Sequence, residues 1–474
     1  MHQPFRRWSA TLAAAALVAS LPLTASAAPA TTATPAARPA PVAGGQSAGD
    51  SLFPSIGNTG YDVLHYAIAL TYAADRSITA TTTIEAKAKG RLSSFSLDLE
   101  GLRVDRVRVD GHAATFTRTG TKLVVTPAKP ASGRFVVAVR YHGKPQTHID
   151  PDGSKDGWVP SRTGATALSE PVGSQTWFPN NNTPRDKASY DVALTVPKNL
   201  AAASNGVLRS RKTTHGATTW RWRQRQPMAT YLALLAIGKF DVYHSTVKLQ
   251  HGRKIPAWSF VDPSVGSTTT VRALLPKVLA FSEKQYGRYP FDATGIVVQD
   301  LGVGYALETE TRPFFDGVPD ESTLVHELAH QWFGDSVTPK DWGDIWLNEG
   351  FASYAEANWA AAHGGPSTWA AFKKIYDANG PSSDLWHPAP TRLTDPADLF
   401  GDSSYVRGQL TLEALRHRIG DRNMRTLLRT WSKRHASESV STPQFVKLAE
   451  KVSGQGLGAF FKAWLEVPAR PAGY

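Results

Sequence analysis

The chain has 474 residues, 41% of them apolar and 10% aromatic, enough for two or more packed cores and too apolar for a disordered protein. With 0 Cys it has no disulfide framework, iron–sulfur ligation, thiolate nucleophile or cysteine-bound zinc, so any metal must sit on His, Asp or Glu. Lys+Arg 52 against Asp+Glu 40 gives +12; the basic residues are dispersed and no recognition motif accompanies them, which argues against nucleic-acid binding and for a scattered basic surface.

Arg6 and Arg7, an apolar run from Leu12 to Leu23 and the triplet Ala25-Ser26-Ala27 follow the order of a secretory signal peptide, so residues 1–27 are expected to be removed near Ala27 and the protein secreted. The paired arginines leave open a twin-arginine route. Cleavage would take the net charge from +12 to +10, because both arginines leave and no acid does. No later stretch reaches about 20 apolar residues, so no membrane span is expected. Residues 28–50 are mostly Ala, Pro, Thr, Gly and Ser and read as a disordered linker.

Alternating, Val-, Thr- and aromatic-rich segments come next: Thr81–Ala88, Ser94–Leu99, Leu102–Val109, Lys122–Thr126, Phe135–Tyr141, Tyr190–Val196 and Thr218–Arg223. Turn signals such as Asp110-Gly111 and Asn205-Gly206 separate them, which predicts an antiparallel β domain over 51–245. After Val247 the apolar period lengthens. Helices are expected at Val271–Tyr286, Glu321–Phe333, Leu347–Ala362, Thr368–Ala378, Tyr405–Ile419, Asn423–Arg434 and Thr442–Lys451, with strand-like text at Gly295–Gln299 and before Glu308. Residues 246–474 therefore read as α+β.

The chemistry concentrates in His326-Glu327-Leu328-Ala329-His330. Four residues turn a helix through about 400°, so the two imidazoles share one face and can meet one ion. Two imidazoles and one carboxylate suit a catalytic Zn²⁺ with an open position for water. Eighteen residues separate His330 from Glu349, and Pro339 and Gly343 break the helical pattern between them, giving room for a second helix to fold back. Two surface histidines and a solvated glutamate are the plain alternative, which leaves the spacing unexplained.

With Trp346-Leu347-Asn348-Glu349-Gly350-Phe351-Ala352, this sequence resembles the M1 family of zinc aminopeptidases, whose motif is His-Glu-x-x-His, eighteen residues, Glu. Tyr61–Tyr66, Trp177-Phe178-Pro179 with Pro184 and Lys187-Ala188, and Met228–Leu232 are similar to segments of the family's N-terminal β domain. The resemblance implies a multidomain fold, an N-terminal antiparallel β domain followed by an α+β thermolysin-like zinc peptidase domain. It also implies one Zn²⁺ per chain on His326, His330 and Glu349, with Glu327 as general base. The family's Gly-x-Met-Glu-Asn signature survives as Tyr305-Ala306-Leu307-Glu308-Thr309, which keeps only the glutamate. Glu308 then pairs with a substrate's α-amino group, unless it is a surface carboxylate paired with Arg312. Glu170 resembles the second amine-binding acid, its alternative being an ordinary loop carboxylate. Tyr405, in Tyr-x-Arg-Gly where the family has Tyr-x-Lys-Gly, corresponds to the donor to the tetrahedral oxyanion, or else is a core tyrosine.

The expected partners are peptides with a free N-terminus, acted on by a monomer. A thermolysin-type zinc endopeptidase is the alternative enzyme, and an inactive peptidase-fold binding protein the alternative outside catalysis. Since larger family members add a long C-terminal helical domain, a two-domain form with a more open groove is expected.

Overall fold

The computed structural model describes residues 39–473; the expected signal segment 1–27 and the linker up to 38 lie outside the described residues. The linker reading fails from residue 40 onward. Val42–Ala43 forms a short strand parallel to Leu92–Asp98, with Val42 N donating to Arg91 O at 2.9 Å and Gly44 N to Ser94 O at 2.8 Å. Asp50 is buried, its carboxylate accepting from the amides of Leu52 and Phe53 and, across the fold, from Trp342 N at 3.0 Å. Backbone hydrogen bonds need no apolar pattern, and composition alone therefore misjudges this segment.

An eleven-stranded sheet dominates the first half. Its central strands, Tyr61–Tyr72, Ile78–Ala88 and Arg134–Gly143, alternate buried and open positions as half-buried strands must. Most neighbours are antiparallel, as the alternation predicts, but Tyr61–Tyr72 runs parallel to Ala188–Pro197 over His65–Thr71. A second sheet orders Ala201–Ser204, Leu235–Gly238, Ala165–Leu168, Lys155–Pro160 and Thr147–Ile149. Ala201–Ser204, Leu235–Gly238 and Ala165–Leu168 are buried at every position, so their text does not alternate and gives no strand signal.

The third sheet places Asp241–Lys248 beside Lys254–Val261, then Val297–Gln299, Phe314–Asp316 and, at the edge, Ala306–Leu307. Strand Asp241–Lys248 crosses the boundary expected at 245 and pairs antiparallel with Lys254–Val261, so the change of sheet falls before Asp241. The edge strand runs antiparallel to Phe314–Asp316 and delivers Glu308 directly from its end.

Seven helices of at least nine residues occupy the second half among the described residues: α1 Thr269–Tyr286, α2 Glu321–Ala329, α3 Trp346–Ala362, α4 Thr368–Ala378, α5 Gly408–Ile419, α6 Asp421–Arg434 and α7 Thr442–Ser453. Asp320 caps α2 by accepting from Thr323 N at 2.8 Å. Helix α2 stops at Ala329, four residues short of the sequence expectation, because the chain turns back at Gly334, whose φ is +126°. Among the described residues no helix is long and apolar enough to cross a membrane.

Candidate active site

Helices α2 and α3 lie against each other and present three side chains to one point. His326 Nε2 is 3.2 Å and His330 Nε2 3.4 Å from the same oxygen of Glu349. Ligands on a tetrahedral zinc with bonds of about 2.0–2.1 Å stand roughly 3.3 Å apart, so the three atoms fit that ion. The other ring nitrogens are engaged: His326 Nδ1 is 2.7 Å from Glu356 Oε1, and His330 Nδ1 is 3.0 Å from the carbonyl of Phe333. Those acceptors fix the protons on Nδ1 and turn both Nε2 lone pairs inward. Glu356 escapes sequence reading, although its place seven residues after Glu349 on α3 puts it two turns along the same face.

Carboxylates crowd this point. Ligand atoms of Glu308, Glu327 and His330 lie within 4.8 Å of one another, and so do those of Glu170, Glu308 and Glu349. Arg312 is turned away from Glu308: its guanidinium donates to Ser204 O, to Trp258 O at 2.9 Å and to Gly206 O at 3.3 Å. Glu170 and Glu308 each keep a buried oxygen without a hydrogen-bond partner. The crowding shifts the protonation of these groups. Burial and the neighbouring Glu308 push Glu170 well above the usual carboxylate range. Burial lifts Glu327 to about 8 against the pull of His326 and His330. Burial also opposes charge on His330, but Glu308 and Glu349 outweigh it and hold the imidazole up to about 9. Such a basin of carboxylates favours positively charged occupants.

Tyr405 lies against His326, its ring stacked on the imidazole at 5.8 Å between centroids and 17° between planes. Burial first, then the charge of Glu349, keeps its hydroxyl protonated. It stands in Ser403–Arg407, which is wound as a π-helix, with Arg407 N donating to Asp402 O at 3.0 Å, where the sequence predicts the start of an ordinary α-helix. The approach of this segment to α3 depends on two glycines: a Cβ on Gly350 would stand 2.7 Å from Gly408 Cα. Arg407, in the place of the family's Lys, is buried and donates to the carbonyls of Trp386 at 2.6 Å, Trp464 at 2.9 Å and Val467 at 2.6 Å. The planar guanidinium spreads its donors over carbonyls from two separate segments of the chain. His326, His330 and Glu349 line a cavity of about 260 Å³ together with Glu170, Glu308, Tyr305, Phe400 and Tyr405.

Residues 62–232 match the model of the peptidase M1 N-terminal domain, and residues 318–464 that of the peptidase family M1 domain. The M1 zinc metallopeptidase of Deinococcus radiodurans shares 30% identity and superposes with a TM-score of 0.82, covering 90% of this chain and 99% of its own. The chain belongs to peptidase family M1. The same Deinococcus protein has been solved as a mutant bound to a Tyr-Ser-Ala substrate, again with a TM-score of 0.82, 30% identity, and coverage of 90% of this chain and 100% of that one. Aminopeptidase N of Streptomyces lividans is 27% identical over 61% of this chain and 36% of its own length. Glutamyl aminopeptidase of Bos taurus is 28% identical over 62% and 33%. The chain thus spans about a third of the length of these curated M1 relatives.

Proposed function

We propose that this M1 chain is a zinc aminopeptidase that removes N-terminal residues from peptides. The observation that carries the reading is the pair Glu170 and Glu308, two buried carboxylates with unpartnered oxygens beside the metal-ligating Glu349. They receive the substrate's α-ammonium through charge-assisted hydrogen bonds and stop the chain there, so that the first peptide bond lies over the ligand set. Zinc, when held by His326, His330 and Glu349, supplies Lewis acidity that makes water nucleophilic near neutral pH and polarises the scissile carbonyl. Glu327 takes the proton of the attacking water and passes it to the leaving nitrogen. Tyr405 donates its hydroxyl hydrogen to the carbonyl oxygen as that atom gains charge. The tripeptide substrate bound by the Deinococcus relative is of the class this cavity would take.

Export follows from the Arg6-Arg7, apolar-run, Ala25-Ser26-Ala27 order, with cleavage near Ala27 releasing a monomeric secreted enzyme. The test of the amine reading pairs an aminoacyl arylamide with its N-acetylated twin. The free amine should be cleaved at least about 10²-fold faster, the scale of one buried charge pair lost. Equal rates would remove Glu170 and Glu308 from this role and favour an endopeptidase.

A further inference from the structure

The hairpin of Thr147–Ile149 and Lys155–Pro160 carries a second convergence of ligating groups, which the proposed reaction does not use. His148, Asp150 and Asp156 each offer one ligand atom within 4.8 Å of the others. Asp156 is 1% exposed, and neither of its oxygens has a hydrogen-bond partner; Oδ1 of Asp150, itself 6% exposed, has none either. The amides of Gly173 and Val172 favour the Asp156 carboxylate without completing a hydrogen bond. No arginine or lysine neutralises the two acids among the described residues, where their ion pairing is the 3.9 Å approach of His148 Nε2 to Asp150 Oδ1. Leaving several carboxylate oxygens buried and unpaired is expensive, and a cation is the usual remedy.

The imidazole is positioned as a ligand would be. His148 Nδ1 is 3.0 Å from Glu100 Oε2, and that same oxygen accepts from Gln175 Nε2 at 3.1 Å, which leaves His148 Nε2 for the aspartates. This repeats the arrangement of His326 with Glu356. Backbone makes room for it: a Cβ on Gly173 would stand 2.6 Å from Asp156 Oδ2 and 2.3 Å from Gly157 N.

We propose that His148, Asp150 and Asp156 form a second divalent-metal site, distinct from the His326–His330–Glu349 set. One imidazole and two carboxylates favour zinc or a similar transition metal over calcium or magnesium, which take all-oxygen shells, and water completes the coordination. The ion braces the hairpin, whose tip residues Asp152 and Ser154 line the substrate cavity. A proton is the competing occupant: the Glu100 hydrogen bond first, with the charges of Asp156, Glu100 and Asp150, holds the His148 imidazolium up to about 9 against burial.

Elemental analysis of the whole protein, stripped by chelator and dialysed against zinc, separates the two. Two zinc ions per chain are expected for the wild type and one for Asp156→Asn, with an unchanged circular-dichroism spectrum. In His326→Ala/His330→Ala, one ion should remain and added zinc should raise Tm by several degrees, a shift lost when Asp156→Asn is added. A wild type that holds one ion, with Asp156→Asn also holding one, overturns the proposal. So does a double histidine variant that folds, binds no zinc and melts at the same temperature with or without it. If that variant does not fold, the wild-type and Asp156→Asn stoichiometries decide alone.

Discussion

Glu327 shows how far a single side chain can be argued from its surroundings. It is buried beside both histidines, with one oxygen unpartnered and its carboxyl lifted to about 8 by burial. Replacing it by Gln keeps the shape, removes the proton acceptor and leaves His326, His330 and Glu349 in place. Zinc content should be unchanged and kcat should fall by about 10²–10⁴, read with an aminoacyl arylamide and elemental analysis. Full turnover in that variant would reassign the base. The convergence of His326, His330 and Glu349 is legible in the sequence because two spacings, four and eighteen, and a helix break between them leave little freedom. Glu170 and Glu308 are reached only by resemblance, since 137 positions part them in sequence and nothing local ties a loop acid to a strand end. Glu356 is readable in principle, by its seven-residue interval from Glu349, but no motif draws attention to it.

Between α3 and α5, backbone rather than side chain sets the distance. Gly350 and Gly408 approach so closely that neither has room for a Cβ, and this approach lets the π-wound turn lay Tyr405 against His326. Changing Gly350 to Ala inserts a methyl 2.7 Å from Gly408 Cα, which must part the two segments. We expect a loss of about 1–3 kcal/mol in stability and a drop in kcat larger than any change in KM, checked by denaturant melts and steady-state kinetics. The helices here match their apolar period closely, but a π-turn leaves no mark in residue type, so periodicity predicts a plain helix from Tyr405. The interior strands of the second sheet, such as Ala165–Leu168, are silent for the opposite reason: with both faces covered, alternation disappears.

At the scale of the molecule, stability should carry the imprint of Asp186. Its carboxylate accepts from Val63 N at 3.0 Å and Asn181 Nδ2 at 2.6 Å, yet burial, with Asp62 adding repulsion, lifts it to about 7 despite Asn181 and Lys89. A folded-state pKa above the unfolded 3.8 means the native protein binds the extra proton, so this stability is present at low pH and lost as pH rises through about 7. Between pH 4 and 8 the loss amounts to at most about 4 kcal/mol. Asp186→Asn should flatten that decline in urea melts at the two pH values; an unaltered slope would show that the group is ionised throughout.

The segment around Asp50 ties distant parts of the chain together. Ser51 N donates to Asp341 at 3.2 Å, Arg185 Nη2 to the same carboxylate at 2.8 Å, and Arg185 Nη1 to Ala48 O at 2.7 Å. These bonds fasten the turn that leads into α3, one helical turn before Glu349. A chain shortened past Ser51 would lose these bonds, and with them the fastening of the turn that precedes Glu349. A protein beginning at Leu52 that melted and turned over like the longer one would show the buckle to be ornamental.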